Sequence, residues 1–276
     1  MSNLNVRVKK ILEDVIDVAY ADEPEDAREN YKRFFIEIIN KERKTVGGWY
    51  MYDSRTIQVF NLSHGSGKTV KTCIHELAHH LDHCKNGTSG HKDPFYAEYR
   101  KLLYAALNMR IFTEEDVRSD NWSNDRNKVF KMLDEWVPDF VDYKNDIVIV
   151  SVLNGYDKRT KLKERGYKWD GLQQVWSKEM STDELEAEEM FLNDEALEHT
   201  TSDGNELSLN FIGYIVAEGN TYDVKDALKQ EGFFFSKNGK KPAWKKKINM
   251  QDSHEEMSRL QHMDKFTSVK FKIAKQ

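Results

Sequence analysis

The stretch that most constrains this chain lies at residues 72–83 and reads Thr-Cys-Ile-His-Glu-Leu-Ala-His-His-Leu-Asp-His. Its apolar residues recur at helical spacing, and Asn86 and Gly87 follow it as a typical helix end. An α-helix has 3.6 residues per turn, so His75 and His79 lie one above the other on one face. Their imidazole rings are then close enough to bind one metal ion. The sequence therefore predicts a metal-binding helix.

Glu76 is the second distinguishing residue of this helix. It follows the first histidine, where a carboxylate can accept a proton from metal-bound water. Imidazole nitrogens suit zinc, and catalytic zinc sites use three protein ligands and leave a fourth position for water. The preceding segment, 48–60, reads as a hairpin or two short strands, which is the context that a zinc hydrolase needs. We therefore predict Zn²⁺ as the cofactor and Glu76 as the catalytic base.

Two residues are candidates for the third metal ligand. His91 follows Gly90, and a turn there can bring its ring back over the helix. Glu98 lies on the next predicted helix, and some zinc sites take a glutamate from a second helix. We favour His91. Asp82, one turn beyond His79, is expected to be an outer hydrogen-bond acceptor or a surface charge.

These residues resemble the SprT-like zinc metallopeptidases, which are zincins. The similarity covers roughly residues 47–107 and rests on Ile-His-Glu-Leu-Ala-His-His-Leu-Asp followed by Gly90-His91-x-x-x-Phe95. In that family a Gly-His-Gly-x-x-Phe segment supplies the third ligand, which corresponds to His91 here, with Lys92 in place of the second glycine. The resemblance implies a zinc-dependent peptidase whose substrates are proteins bound or crosslinked to DNA.

The elements predicted before and around this motif form a helix-rich, zincin-like metallopeptidase domain over residues 1–142. Apolar residues at helical spacing predict a first helix at 4–20, and Pro24 begins a second predicted helix that runs to about residue 44. Strand 56–60 is expected to align an extended substrate by edge pairing.

A repeat begins after this domain. Each copy has an apolar strand, a short helix that ends at a glycine, and a hairpin that contains tryptophan. We assign the copies to 145–192 and 208–250, each as a β-α-β-β module, and leave 251–276 as a C-terminal tail. The modules resemble small units with a Lys-x-x-Gly-x-x-Trp…Trp pattern found beside mobile-element and phage enzymes. The whole chain is expected to be of the α+β class.

Basic residues and aromatic rings are interleaved in both modules, although the chain has a formal net charge of −5. Lysine and arginine outnumber acidic residues in 157–178 and 223–247, and neither occurs in 183–206. Basic side chains suit phosphate contacts, and aromatic rings suit base stacking. The alternative is that the rings form the module cores and the lysines a solvated surface. The residues predicted to bind nucleic acid are Lys168, Trp169, Trp176, Trp244, Lys245, Lys246 and Lys247.

Composition also bears on where the protein works. Two cysteines in 276 residues do not form a disulfide framework, and no apolar run approaches the roughly 20 residues that span a bilayer. The first residues lack the apolar core of a signal peptide. We therefore expect a cytoplasmic protein without a membrane partner.

Two functions are consistent with these features. The first is a zinc metallopeptidase that hydrolyses protein or peptide substrates and has DNA as a further partner through its basic modules. The second is a nucleic-acid-binding protein of a phage or mobile element, with a structural or vestigial zinc site. Glu76 favours the enzyme, because a structural zinc site has no use for a general base.

Overall fold

The computed structural model divides the chain into two compact units, Met1–Leu209 and Asn210–Gln276. Each unit contains helices and a small β-sheet or sheets, so the protein is of the mixed α+β class. The residues that the structure describes are 3–39, 41–43, 45–61, 64–119, 125–171, 173–205, 207, 212–237 and 242–274.

The N-terminal helix α1, Asn3–Ala19, packs its apolar stripe into the first unit and confirms the helix predicted at 4–20. A second helix, α2 (Glu25–Tyr31), begins after Pro24, whose fixed backbone angle suits the start of a helix. The buried residues of α1 are Leu4, Val8, Ile11, Leu12, Val15 and Ile16.

The prediction that this second helix runs to about residue 44 is wrong. α2 ends at Tyr31, and strand β1 (Phe35–Ile38) follows it. The second and fourth residues of β1 are buried, whereas Phe35 is 59 % exposed. Burial at every second residue is the pattern of a strand, and helical spacing cannot produce it in four consecutive residues. Residues 40 and 44 of the predicted helix lie outside the described part of the chain.

The helix predicted to bind a metal ion is α3, Ser66–Asn86. It ends where the sequence predicted, because Gly87 adopts the left-handed conformation with φ 72° and donates its N–H to the His83 carbonyl at 2.9 Å. Helix α4, Asp93–Asn108, has a proline in its first turn and packs against α3. Two shorter helices follow, α5 (Glu114–Arg118) and α6 (Arg126–Glu135). None of the helices in the described part of the chain combines the length and apolar character needed to cross a membrane.

Three short strands lie beside α3. Strands β2 (Gly48–Met51) and β3 (Thr56–Val59) form the predicted antiparallel hairpin. β1 pairs in parallel with the other side of β3, which gives the order β1-β3-β2. The expectation that strand 56–60 pairs with substrate at a sheet edge is therefore wrong, since β3 is central. β2 is the edge strand that contacts α3.

The first accessory module continues past the predicted end at residue 192. Its sheet has the order β5-β6-β4-β7, and all of its pairings are antiparallel. Its elements are β4 (Ile147–Val152), α7 (Arg159–Glu164), β5 (Lys168–Asp170), β6 (Val175–Ser181), α8 (Leu185–Asp194) and β7 (His199–Asp203).

The second module has the same order of elements, and its own sheet has the corresponding strand order, β9-β10-β8-β11. The predicted tail at 251–276 is therefore wrong, because it supplies a helix and an outer strand of this module. The elements are β8 (Ile212–Gly219), α9 (Lys225–Gln230), β9 (Phe234–Ser236), β10 (Ala243–Asn249), α10 (Ser253–Gln261) and β11 (Val269–Ile273).

Both modules thus have the split β-α-β topology, β-α-β-β-α-β, in place of the predicted β-α-β-β. The last helix and strand are needed for two physical reasons. β4 and β8 are inner strands of their sheets. The backbone N–H and C=O groups on one side of each strand are hydrogen-bonded only through β7 and β11, respectively. The cores also need the second helices, which contribute the fully buried Leu192 and Leu260.

The first module packs against α1 and so lies in the same compact unit as the predicted peptidase domain. The Leu4 backbone N–H donates to the Asp170 carboxylate at 2.6 Å, where α1 meets β5. The Tyr143 hydroxyl donates to Asp14 of α1 at 2.7 Å. The boundary predicted between 142 and 145 therefore separates two parts of one unit.

One ion pair recurs in both modules. In the first, Glu188 of α8 is 2 % exposed and accepts hydrogen bonds from Arg165 at 2.9 and 3.0 Å and from Lys178 at 3.2 Å. In the second, Lys246 pairs with Glu256 of α10 at 2.6 Å, with the same spacing of ten residues. Burial acts to raise the pKa of Glu188, but the hydrogen bonds from Arg165 and Lys178 outweigh it and hold the pKa below its usual 4.5.

Glu188→Gln should lower the free energy of unfolding of the first unit by about 3 kcal/mol at pH 7, because it leaves two cations without their buried partner. A carboxyl group whose pKa is lower in the folded state than in the unfolded state stabilises the fold at pH values above the unfolded-state pKa. This stabilisation is lost as the pH falls through the folded-state pKa. The difference between wild type and variant should therefore shrink below pH 4.5. Calorimetric unfolding across pH measures it, with the exposed Glu186→Gln on the same helix as control. Equal losses for both variants would contradict this role of Glu188.

Candidate metal centre

Three histidines of the first unit converge on one point. His75 and His79 lie one turn apart on α3, and His91 lies in the connection between α3 and α4. The Nε2 atom of His91 is 3.2 Å from Nε2 of His75 and 3.1 Å from Nε2 of His79. Nitrogens bound to zinc at 2.0–2.1 Å in a tetrahedron are about 3.3 Å apart. The cluster can therefore hold a metal ion, and its geometry fits zinc.

The chain positions His91 by reversing direction directly after α3. Gly87 turns the chain, and α4 then begins beside His91. The ring of Phe95, fully buried in the first turn of α4, stacks on His79 with centroids 4.2 Å apart and lies 4.9 Å from His91. Its centroid is also 5.0 Å from that of His75, so the phenylalanine of the sequence motif packs against all three imidazoles and restricts their orientation.

The two histidines on α3 are held in the neutral form that binds metals. Burial is the main cause, and the neighbouring imidazoles add to it. The pKa of His75 is well below its usual 6.5, and the pKa of His79 is lowered to about 4. A neutral imidazole has a free lone pair on one ring nitrogen, so no proton has to be displaced when these residues bind a cation.

The second ring nitrogens of two of the histidines have protein partners, as is usual for metal-binding imidazoles. Nδ1 of His79 is 2.9 Å from the Ser89 hydroxyl, and Nδ1 of His91 is 3.4 Å from the Asp125 carboxylate. Asp125 is itself buried and accepts a hydrogen bond from the Tyr96 hydroxyl. Asp125 could not be identified from the sequence, because it lies far along the chain and reaches His91 only through the fold.

The other residues weighed as ligands or acceptors lie elsewhere. Glu98 is buried, accepts a hydrogen bond from the Tyr20 hydroxyl and is 3.1 Å from the Lys85 ammonium, so it is not part of the cluster. Asp82 is buried and is therefore no surface charge. It accepts a hydrogen bond from the Asn86 side chain at 2.8 Å.

Glu76 lines the same cleft as the three histidines. Burial raises the pKa of its carboxyl to about 8, and a hydrogen bond from the Tyr50 backbone N–H opposes this shift. A cation held by the histidines would likewise favour the ionised form. The carboxyl group therefore lines the cleft beside the histidines and has one donor from the edge strand β2.

Gly48 of β2 is a residue that the sequence did not identify. A Cβ atom at this position would lie 2.8 Å from Cγ of Glu76 and 2.9 Å from Cγ2 of Thr72. Such distances are shorter than real Cβ contacts, so any side chain here would displace Glu76. Glycine at position 48 is what allows the edge strand to approach the metal-binding helix closely.

The cleft has a volume of about 660 Å³ and runs between β2 and the N-terminal half of α3. Trp49 of β2 forms part of its wall, with its ring centroid 5.4 Å from that of Phe60. The Arg43 guanidinium lies 4.1 Å from both rings. The cleft thus combines the histidine cluster, the buried carboxyl groups of Glu76 and Asp125, an edge strand and an aromatic wall.

The residues predicted to bind nucleic acid are divided between opposite faces of their sheets. In the first module, Trp176 is part of the buried core, and Trp169 packs against it with ring centroids 5.4 Å apart. In β5, successive side chains point to opposite faces, so Lys168 faces away from Trp169. In this module the prediction that Trp176 stacks with bases is wrong, because its ring fills the core.

In the second module, Trp244 packs against the core between the sheet and its helices. Lys246 points to the same side and is paired with Glu256 of α10. Lys245 and Lys247 alternate with them and lie on the other face. Trp244 and Lys246 are therefore structural in this fold, and two of the four predicted residues remain on a face that the helices do not cover.

Comparison of the chain with protein-family models, with curated proteins and with solved structures gives no match. The function is therefore inferred from the residues of the site.

With zinc in the cluster, His91→Ala should remove most of it, because the substitution takes away one of the three imidazoles. Metal analysis of the purified protein after dialysis measures this, and the expected content falls from about one zinc per chain to well below one. Glu98→Gln is the matched control and should keep its zinc, since Glu98 lies outside the cluster. Zinc retained by the folded His91→Ala variant and lost by Glu98→Gln would reassign the third ligand.

Proposed function

We propose that the first unit is a zinc-dependent peptidase, with His75, His79 and His91 as ligands and Glu76 as the general base. The observation that carries this proposal is the Glu76 carboxyl group, which lies in the same cleft as three converging imidazoles. The resemblance to the SprT-like zincins, with the same four residue types in the same order, supports it.

A zinc ion at this position would supply a Lewis acid that polarises the scissile carbonyl and lowers the pKa of the attacking water. Glu76 accepts the proton that this water loses as its oxygen bonds to the carbonyl carbon. The same carboxyl group then gives the proton to the amine nitrogen as the C–N bond breaks. Asp125 holds the His91 ring in place through Nδ1, and this contact leaves Nε2 directed at the cluster.

The edge strand β2 offers a way to align an extended peptide with this chemistry. Its outer side lies along the cleft, where a substrate strand can form main-chain hydrogen bonds. Trp49 adds an aromatic surface for a substrate side chain. This role replaces the one expected for strand 56–60, which has strands on both sides.

The second candidate is a nucleic-acid-binding protein with a structural zinc site. Structural zinc sites are closed by four protein ligands, whereas only three histidines form the cluster among the described residues. His91 is also 45 % exposed at its side chain, and the cleft is open to solvent beside it. Both features favour the peptidase. Its substrates, following the family resemblance, are proteins associated with DNA.

Glu76→Gln should keep the bound zinc and lower peptide hydrolysis by ~10²-fold or more, because the amide keeps the shape of the side chain but cannot accept the proton. Hydrolysis of casein and of DNA-bound proteins, measured with and without DNA, tests the change. Metal analysis of the same sample separates a lost base from a lost ion. Undiminished hydrolysis by Glu76→Gln, or no cleavage of any protein by the wild type, would refute the peptidase.

Gly48→Ala should lower the turnover rate by ~10²-fold while zinc stays bound, because the added methyl group displaces Glu76 from the reacting water. Gly47→Ala is the matched control, since a Cβ atom there would only touch Thr72 at an ordinary 3.5 Å. Measured kcat values for the two variants should differ strongly. Similar kcat values would show that Gly48 does not set the position of the base.

A further inference from the structure

The second unit has a sheet face that its two helices do not cover. Both helices pack on one side, where Leu228 and Leu260 join Ile215 and Ala217 of β8 in the core. Side chains alternate along each strand, so the residues between these core positions point to the opposite side. We call this opposite side the outer face. Its described residues include Tyr214, Val216, Glu218, Phe234, Lys245, Lys247, Lys270 and Lys272.

The strand register places aromatic rings and lysines next to one another on the outer face. One row across the four strands consists of Phe234, Lys245, Val216 and Lys272. Tyr214 lies in the next row, its ring centroid 6.1 Å from that of Phe234 and 5.9 Å from the Lys245 ammonium. Phe234 is 47 % exposed, although it is a large apolar side chain.

The charge of the outer face is strongly positive among the described residues. Lys247 lies opposite Tyr214 in the strand register, and Lys270 lies opposite Glu218. Glu218 is paired with Lys272. Four lysines thus accompany one acidic residue on this face, whereas the chain as a whole has a formal net charge of −5.

The corresponding face of the first module has a different composition and is in contact with α1. When the strand registers of the two modules are compared, Tyr214 is equivalent to Ile149, Lys245 to Ser177 and Lys247 to Glu179. Ile149 is buried there, and α1 contacts β5 on this sheet. One module therefore uses its outer face to pack against α1, and the other carries lysines and rings at the corresponding positions.

We infer that the outer face of the second unit binds single-stranded nucleic acid. The lysines provide phosphate contacts, and Tyr214 and Phe234 provide rings on which unpaired bases stack. A four-stranded sheet with exposed aromatic rings is a known platform for single strands, whereas the bases of a duplex are already stacked on one another. This site differs from the one predicted from the sequence, since it uses Tyr214 and Phe234 in place of Trp176 and Trp244.

The test is binding of the full chain to fluorescent oligothymidylate and oligouridylate of roughly 16 nucleotides, followed by anisotropy over a range of salt concentrations. The wild type should bind at low salt, and it should bind a duplex of the same length more weakly. The two oligomers distinguish DNA from RNA as the preferred strand. No binding at low salt, or tighter binding of the duplex, would overturn the inference.

Two variants and a matched control assign the binding to the outer face. Phe234→Ala should weaken binding about tenfold or more at every salt concentration, because one stacking platform is lost. The double variant Lys245→Ala/Lys247→Ala should reduce the slope of log affinity against log salt by about 1.4, which corresponds to two phosphate contacts. Lys225→Ala/Lys229→Ala removes the same charge from the exposed surface of α9 and should leave both quantities unchanged.

Thermal unfolding of each variant establishes that the second unit is folded before its binding is interpreted. Should Phe234→Ala unfold the unit, Phe234→Leu removes the aromatic ring while keeping an apolar side chain, and the same loss is expected. Equal effects of the outer-face and α9 double variants would overturn the inference. So would unchanged affinity of a folded Phe234 variant, because binding would then be charge attraction without stacking.

Discussion

The convergence of three imidazoles is the interaction on which the arrangement of the candidate metal site depends. One helix supplies two of the rings, and only a chain that reverses at once can supply the third. Gly87 makes that reversal possible, and Phe95 packs against His79 and His91 after it. The pair α3 and α4 is therefore a scaffold for the histidines, and β2 approaches it closely because position 48 has no side chain.

The two accessory modules show how one topology can serve different purposes. Both have the same strand order and the same lysine–glutamate pair between sheet and second helix, Lys178–Glu188 and Lys246–Glu256. These features lie on the covered side and stabilise the module itself. The outer faces are free to differ, because the core does not constrain them. In the first module that face meets α1, and in the second it carries lysines, the exposed ring of Phe234 and the partly exposed ring of Tyr214.

Sequence patterns predicted the parts of the structure that depend on local spacing. The i, i+4 histidines, the helix end at Gly87 and the hairpin at 48–60 were predicted in this way, and the structure confirms them. Contacts between distant segments could not be predicted, which explains why Asp125 and Gly48 were missed. Strand β7 lies beyond the predicted module end for the same reason. Its sequence, His-Thr-Thr-Ser-Asp, has no apolar alternation, and the strand pairs only with the distant β4 among the described residues.

Short apolar runs were the other source of error. The Phe-Ile-Glu-Ile of β1 fits either a helix or a strand, and only its pairing with β3 decides between them. The spacing of aromatic residues likewise does not tell which face of a sheet they occupy. Trp176 and Trp244 pack in the cores of their modules because both lie at strand positions that face the helices.

The most direct test of the central claim is X-ray absorption at the zinc edge of the purified, zinc-loaded protein. A catalytic site built by His75, His79 and His91 predicts three imidazole nitrogens and one further light-atom ligand at about 2.0–2.1 Å. The spectrum of Glu76→Gln should keep the three imidazoles, since Glu76 is not a ligand in this account. A sulfur ligand, fewer than three imidazoles, or a closed site with four protein ligands would contradict it.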